Sequence, residues 1–362
     1  MDRRLQRGLV RIWVALLIVF LIIVGGLGNQ VRLVPLIDRP GASQYLPYVK
    51  EALARAQSSI RILLSDGELD GNPLWEIVGA AAGRGVSVRV LLDRSDWSPS
   101  ITNKNRPTIE YLKSHGIPAR FDDPAVTTHA KLVVIDGKLV ILGSSNWNVH
   151  AFTDQEQANI AVMDDRIGEA FSEYFDRLWA GTLIPGGVKL ELSGLNPGPL
   201  LIPIPEGPDT ENYGRILLSL LSKAKESVHV VMYRASYYPT YKKSLSNDIL
   251  NALVSAASRG LEVRVLLDDC SFYPESAQAN REAARYLADH GIEVRFDDPA
   301  VTTHAKLVII DKKTVLLGST NWNYYALEKN VETDLAAIGI PQLAEVYERF
   351  FRSVWRGGRP LP

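Results

Sequence analysis

The stretch Arg120-Phe-Asp-Asp-Pro-Ala-Val-Thr-Thr-His129-Ala-Lys131-Leu-Val-Val-Ile-Asp136 occurs a second time, as Arg295 to Asp311, with Ile309 in place of Val134 as the single difference. Each copy runs on into Gly-Ser-x-Asn-Trp-Asn, as Gly143 to Asn148 and Gly318 to Asn323. Upstream, Arg84–Asp93 corresponds to Arg259–Asp268. The offset there is the one that separates His129 from His304 and Asn146 from Asn321 (304 − 129 = 175). A gap-free match of this length indicates duplication of a whole structural unit rather than of a short motif. Ser59 and Ser227 correspond at an offset of 168, so the second copy carries an insertion, which includes Arg234, Tyr237, Tyr238, Tyr241, Lys242 and Lys243.

Each copy has α/β patterning. Ile60–Leu64, Val86–Leu92, Lys131–Ile135, Leu139–Leu142 and Asn159–Val162 are short apolar or alternating runs that predict strands. Helical apolar spacing occupies Gln44–Gln57, Leu74–Gly83 and Pro107–His115, and Ile167–Trp179 closes the first half as Leu343–Trp355 closes the second. Between the halves, proline and glycine crowd a stretch that includes Pro185, Gly186, Gly187, Pro197, Pro199, Pro203 and Pro205, which predicts a linker.

The chain has 362 residues, 46% apolar and 22% charged, with a formal net charge of −1. That length admits two sizeable cores. It lacks the global basic field of a non-specific nucleic-acid binder, although a local basic groove remains compatible with it. Cys270 is the only cysteine, which excludes an intrachain disulfide and a cysteine-cluster zinc site. At the N-terminus, Arg3, Arg4, Arg7 and Arg11 precede an apolar run from Ile12 to Gly28. Leu9–Gly28 predicts a transmembrane signal-anchor, and the arginine bias places the short tail 1–8 in the cytoplasm and the remainder outside it. The alternative is a cleaved signal peptide and a secreted protein.

His129 and Lys131 are two residues apart on a predicted strand and so share a side, whereas Asp136, at an odd separation, points away. A histidine beside a fixed cation suits an anionic substrate, since lysine binds phosphate oxygens and stabilises charge that develops on them. Ser144 and Ser319, with Asn146 and Asn321, sit in turns able to present hydroxyl and amide donors to the same oxygens. Two copies supply two histidines, two lysines and two asparagines around one anion. No metal is required by this set. Asp122-Asp123 and Asp297-Asp298 precede proline and read as turns; Trp147 and Trp322 read as core; His115 and His290 stand before helix-ending glycines and read as structural.

His-x-Lys-x4-Asp followed by Gly-Ser-x-Asn resembles the phospholipase D superfamily, the tandem HKD-motif phosphodiesterases, at every position of the pattern in both copies. The resemblance implies two tandem α/β domains with mixed β-sheets related by a pseudo-twofold, following the single N-terminal transmembrane helix. The boundaries are then linker 29–42, first domain 43–183, Pro/Gly-rich linker 184–210 and second domain 211–357. It implies a metal-independent and cofactor-free transfer through a phosphohistidine, with His129 as nucleophile and His304 as general acid and then base. Lys131, Lys306, Asn146 and Asn321 would hold the phosphoryl group, and Glu332 would orient a histidine. Gln157 stands at the position equivalent to Glu332 (332 − 175 = 157), which makes the halves unequal. Asp136 and Asp311 take a supporting place, and Tyr237, Tyr238 and Lys242 are candidates for substrate contact. The first reading is hydrolysis of phospholipid headgroup esters. A nuclease of the same superfamily is the alternative. Phosphatidyl transfer of the cardiolipin synthase kind comes third, because those enzymes typically carry two N-terminal spans and often Gly-Gly where this chain has Gly143-Ser144. With both motifs in one chain, no partner subunit is required.

Overall fold

Strands form where β-branched apolar residues run together. In the first half, Ser59–Leu64, Ser87–Leu92 and Ala119–Phe121 are parallel neighbours. They are connected through the helices Leu74–Gly83 and Pro99–Ser114, as parallel strands need crossovers. On the other side of Ser59–Leu64 the sheet continues antiparallel through Lys131–Ile135, Leu139–Gly143, Gln155–Met163 and Val31–Asp38. The second half repeats this order with Ser227–Met232, Glu262–Leu267 and Glu293–Phe296, then Lys306–Ile310, Thr314–Gly318, Glu332–Ile338 and Leu200–Glu206. The tight turns after the motif strands are made by Asp136-Gly137 and Asp311-Lys312, all at positive φ. The helix Pro99–Ser114 begins well before the expected start and contains Pro107 in its interior.

The computed structural model describes residues 22–24, 31–95, 98–182, 199–241 and 243–361. Most of the expected membrane span, 9–28, lies outside them. Its described part corrects the expectation: Ile22–Val24 is a strand paired antiparallel with Val31–Leu33. β-Branched Ile22, Ile23 and Val24 favour this pairing. No helix among the described residues is long and apolar enough to cross a membrane.

Both expected linkers also contain sheet. Val31–Asp38 pairs along Gln157–Met163, and Leu200–Glu206 pairs along Glu332–Ile338. The prolines that suggested a linker are tolerated for a geometric reason. Leu200–Glu206 is the outermost strand of its sheet, so Pro203 and Pro205, two apart, can turn their donor-less nitrogens outward. Pro35 corresponds to Pro203 and lies beyond the residues that Ile22–Val24 covers. The duplicated unit therefore starts at these strands.

The two halves share a core. One cluster of buried apolar side chains draws Leu132, Phe171 and Phe175 from the first half and Leu307, Tyr347 and Phe351 from the second. Two further clusters each belong to one half. Polar ties reinforce the join: the Tyr347 hydroxyl donates to the Asn159 carbonyl at 2.6 Å, and the Tyr174 hydroxyl donates to the Glu332 carbonyl at 3.2 Å. The closing helices that carry these residues, Asp165–Ala180 and Pro341–Gly357, are strongly one-sided. The first is capped by Asp164 at its start and by Gly181 in the left-handed region at its end.

Candidate active site

Each motif histidine is held by both halves. Just before His129, Thr128 bridges to Val331; in the reciprocal place Thr302–Thr303 pairs with Gln155–Glu156. The His129 amide donates to the Val331 carbonyl at 2.8 Å and the His304 amide to the Glu156 carbonyl at 2.9 Å. This reciprocity is what a twofold between the halves demands. The strands Lys131–Ile135 and Lys306–Ile310 begin two residues after the histidines, so each His-x-Lys lies in an extended approach rather than inside a strand.

The side chains converge as the sequence pattern requires. The Lys131 ammonium donates to the His129 carbonyl and the Lys306 ammonium to the His304 carbonyl, each at 2.5 Å. Both lysines are fully buried. The His129 side chain remains 21% exposed and His304 is 8% exposed. Burial, followed by the two lysine charges, holds both imidazoles well below the usual histidine range, and the charge of His129 acts on His304 as well. Burial also depresses Lys131 to about 8, against the pull of Glu332, and holds Lys306 well below the usual lysine range, with Lys131 adding to the effect. Two buried lysine ammonium groups beside two imidazoles form a site for an anion.

The two ring orientations are set differently. His129 Nδ1 lies 2.9 and 3.1 Å from the Glu332 carboxylate oxygens. His304 Nδ1 lies 3.0 Å from the Ser144 carbonyl and 3.3 Å from Gln157 Oε1. All of these are acceptors, so each Nδ1 carries the proton and each Nε2 is left to a substrate. Glu332 accepts from the Ser319 hydroxyl at 2.6 Å and from Asn330 Nδ2 at 3.1 Å. Gln157 accepts from the Ser144 hydroxyl at 2.6 Å in the equivalent way. Burial pushes Glu332 up to about 7, opposed by Lys131.

Gly143 and Gly318 make the following turns possible. A Cβ on Gly143 would stand 2.5 Å from the Asn159 backbone, and one on Gly318 would stand 2.1 Å from Asp334 Oδ1. The turns lead to Asn146 and Asn321, whose amide oxygens are buried without a hydrogen-bond partner in the protein. The next residues are structural. Trp147 and Trp322 are buried and donate to the Tyr45 and Tyr213 hydroxyls, and Asn148 and Asn323 cap short helices.

Other sequence candidates lie elsewhere. Asp136 and Asp311 sit at the far ends of their strands, where their carboxylates accept from the backbones of Gln57–Ser59 and Lys225–Ser227. They anchor the strand ends and do not face the histidines. His115 and His290 bond to the helix carbonyls of Tyr111 and Tyr286. Tyr237 stacks on Tyr286, centroids 4.0 Å apart, within the second half's packing, which takes it away from substrate. The Tyr238 hydroxyl accepts from the Tyr324 amide next to the Asn321 turn. Lys242 lies outside the described residues.

Sequence reading missed a supporting layer. Asp93 and Asp268 accept from the amides of Thr128 and Thr303, the residues immediately before the histidines, at 2.7 and 2.6 Å. Asn105 and Asn280 each bridge two loop backbones beneath them. The signal was present, since both pairs repeat at the offset of 175. Asp122 and Asp297 accept from the amides of Arg94 and Asp269 and are turn clamps. No cluster among the described residues has the ligands for a metal ion.

A family model described as "Cardiolipin synthase, PLD-like domain" matches residues 49–179 and 217–355. Cardiolipin synthase B of Escherichia coli K12 is 25% identical over 346 residues, spanning 85% of this chain and 76% of that protein. Mitochondrial cardiolipin hydrolase of Xenopus tropicalis is 39% identical over 97 residues, 26% of this chain and 43% of that protein. The crystal structure of phosphatidylserine synthase from Haemophilus influenzae superposes with a TM-score of 0.71 over 90% of this chain and 87% of that one, at 13% identity, which is a likeness of fold.

Proposed function

This chain belongs to the phospholipase D superfamily, and on that premise we propose that it is a phosphatidyltransferase, moving the phosphatidyl group of a phospholipid to an alcohol through a phosphohistidine. The observation that carries the reading is the pair of histidines with Nδ1 bound to acceptors and Nε2 free beside two buried lysines. Transfer moves ahead of hydrolysis, the first sequence reading, because relatives named as cardiolipin synthases align over most of this chain. Hydrolysis is the same chemistry with water as the acceptor.

In the first step His129 Nε2 attacks phosphorus, the bond to the leaving alcohol breaks, and His304 Nε2–H gives that oxygen its proton. The Glu332 carboxylate stabilises the positive charge that develops on the His129 ring, while Lys131, Lys306, Asn146 and Asn321 hold the non-bridging oxygens. In the second step His304 Nε2 takes the proton of the acceptor hydroxyl, whose oxygen displaces His129. An empty site keeps both imidazoles neutral, which suits the nucleophile. The phosphate anion offsets the lysine repulsion and lets His304 hold the proton that it must donate.

The full chain incubated with phosphatidylethanolamine vesicles plus glycerol, in the presence of a chelator, should release ethanolamine and yield phosphatidylglycerol. Loss of all turnover on chelation would sink the mechanism. Cleavage of single-stranded DNA with no change to any lipid would replace this reading with a nuclease. Membrane attachment through the apolar residues before Ile22 is part of the proposal, and a chain lacking residues 1–21 that remained in the membrane fraction would refute it.

A further inference from the structure

The strands Ser59–Leu64 and Ser227–Met232 occupy equivalent places, with Leu64 opposite Lys131 and Met232 opposite Lys306. The residue after each donates its amide to the alanine between motif histidine and lysine: Ser65 to Ala130 at 3.1 Å and Tyr233 to Ala305 at 3.0 Å. Ser65 and Tyr233 are therefore counterparts beside His129 and His304, and they differ greatly in size and polarity. The Tyr233 ring lies 4.7 Å from the His304 imidazole at an angle of 62°, and the Lys306 ammonium lies 4.7 Å from the same ring centroid. Among the described residues, no aromatic ring contact is made by His129. Tyr233 breaks the internal symmetry on the side where His304 works.

We propose that Tyr233 lines the subsite for the alcohol and sets the preference of the intermediate for an organic hydroxyl over water. This inference rests on the reading of the site as a phosphatidyltransferase. The attacking oxygen gives its proton to His304 Nε2 as the phosphorus–oxygen bond forms and the phosphorus–His129 bond breaks, so the acceptor must sit next to His304. By microscopic reversibility the leaving alcohol of the first step occupies the same place. An aromatic face there makes dispersion contacts with the carbon skeleton of a polyol and covers surface that would otherwise hold water. Water gains nothing from the ring. Tyr273, which is 60% exposed, lies within electrostatic reach of the Tyr233 phenol. Tyr233 is thus a specificity-determining residue, and the proton transfers remain those of the histidines.

The test uses the full chain with phosphatidylethanolamine in detergent micelles and glycerol as acceptor. It reads the ratio of phosphatidylglycerol, from transfer, to phosphatidic acid, from hydrolysis. Tyr233→Ser, which copies the first half, should lower that ratio about 3- to 10-fold, the worth of one aromatic contact, whereas Tyr233→Phe should hold it within about twofold. With methanol in place of glycerol, the ratio should respond much less to Tyr233→Ser, because little carbon remains to meet the ring; this comparison separates the subsite from a general disturbance. An unchanged ratio in Tyr233→Ser, or an equal fall for both acceptors, overturns the proposal. If Tyr233→Ser does not fold, a Tyr233→Phe ratio as low as hydrolysis alone overturns it. A parent that forms only phosphatidic acid at every glycerol concentration refutes the acceptor subsite and leaves a phosphodiesterase standing. A parent that converts no phospholipid refutes the transferase reading and this inference with it.

Discussion

Glu332→Gln isolates the charge that distinguishes the two histidines. Glu332 is buried, its carboxylate meets His129 Nδ1 at 2.9 Å, and the Ser319 hydroxyl and Asn330 amide donate to it. The first half shows how a glutamine fits there: Gln157 Oε1 accepts from the Ser144 hydroxyl and faces His304 Nδ1, while its amide donates to Gln155 at 2.6 Å. Asn330 is the counterpart of Gln155, and an amide flip lets it accept in the same manner. The substitution should therefore preserve the His129 tautomer and remove only the charge. A charge-assisted hydrogen bond contributes about 1–2 kcal/mol more than a neutral one, so formation of the phosphohistidine should slow roughly 5- to 30-fold. Single-turnover labelling with alkaline quench, which preserves phosphohistidine, measures that rate. A loss below about twofold would mean that the carboxylate does not stabilise the His129 ring. A loss equal to that of His129→Ala would mean that Glu332 acts by geometry. The reciprocal Gln157→Glu places a carboxylate against His304 and should move the basic limb of kcat/KM to higher pH.

Three further outcomes follow from the same structure. Asp334, buried beside Glu332, is pushed up to about 8, against an ordinary carboxylate value near 3.8. The folded state then binds this proton more tightly than the unfolded one, so its contribution to stability is present at low pH and lost as pH rises from about 4 to about 8. Asp334→Asn, which copies Asn159, should raise Tm at pH 8 and give no gain near pH 4; a gain independent of pH would contradict the assignment. Lys131, depressed to about 8, loses its charge as pH rises through that value, so kcat/KM should fall above it, and a profile flat to pH 9.5 would exclude Lys131 as the phosphate ligand. Gly143→Ala forces a Cβ into the Asn159 backbone and should cost activity by displacing Asn146; unaltered turnover would show that the turn is not positioned by that close approach.

The duplicated segments themselves carried the site's inventory. The His-x-Lys pairs, the turn asparagines and the detachment of Asp136 and Asp311 from the chemistry could be argued from spacing, because strand alternation and constant offset are properties of the chain alone. Glu332 came from the family resemblance, and the constant offset then set Gln157 against it. The proline-bearing strands Val31–Asp38 and Leu200–Glu206 could not, since a proline reads as a breaker until the edge position of its strand is known. Ile22–Val24 had the same difficulty: an apolar run does not announce whether it will find a strand to pair with.

What the sequence determined by itself was that one site is assembled from two similar halves. Only the tertiary structure decided how the halves exchange partners. Glu332 of the second half holds His129 of the first, Gln157 of the first half lies against His304 of the second, and Tyr233 stands beside one histidine and not the other. The physical reason is that hydrogen bonds and ring contacts act over a few ångströms. A separation of 203 residues between His129 and Glu332 says nothing about which groups a shared core will bring within that reach.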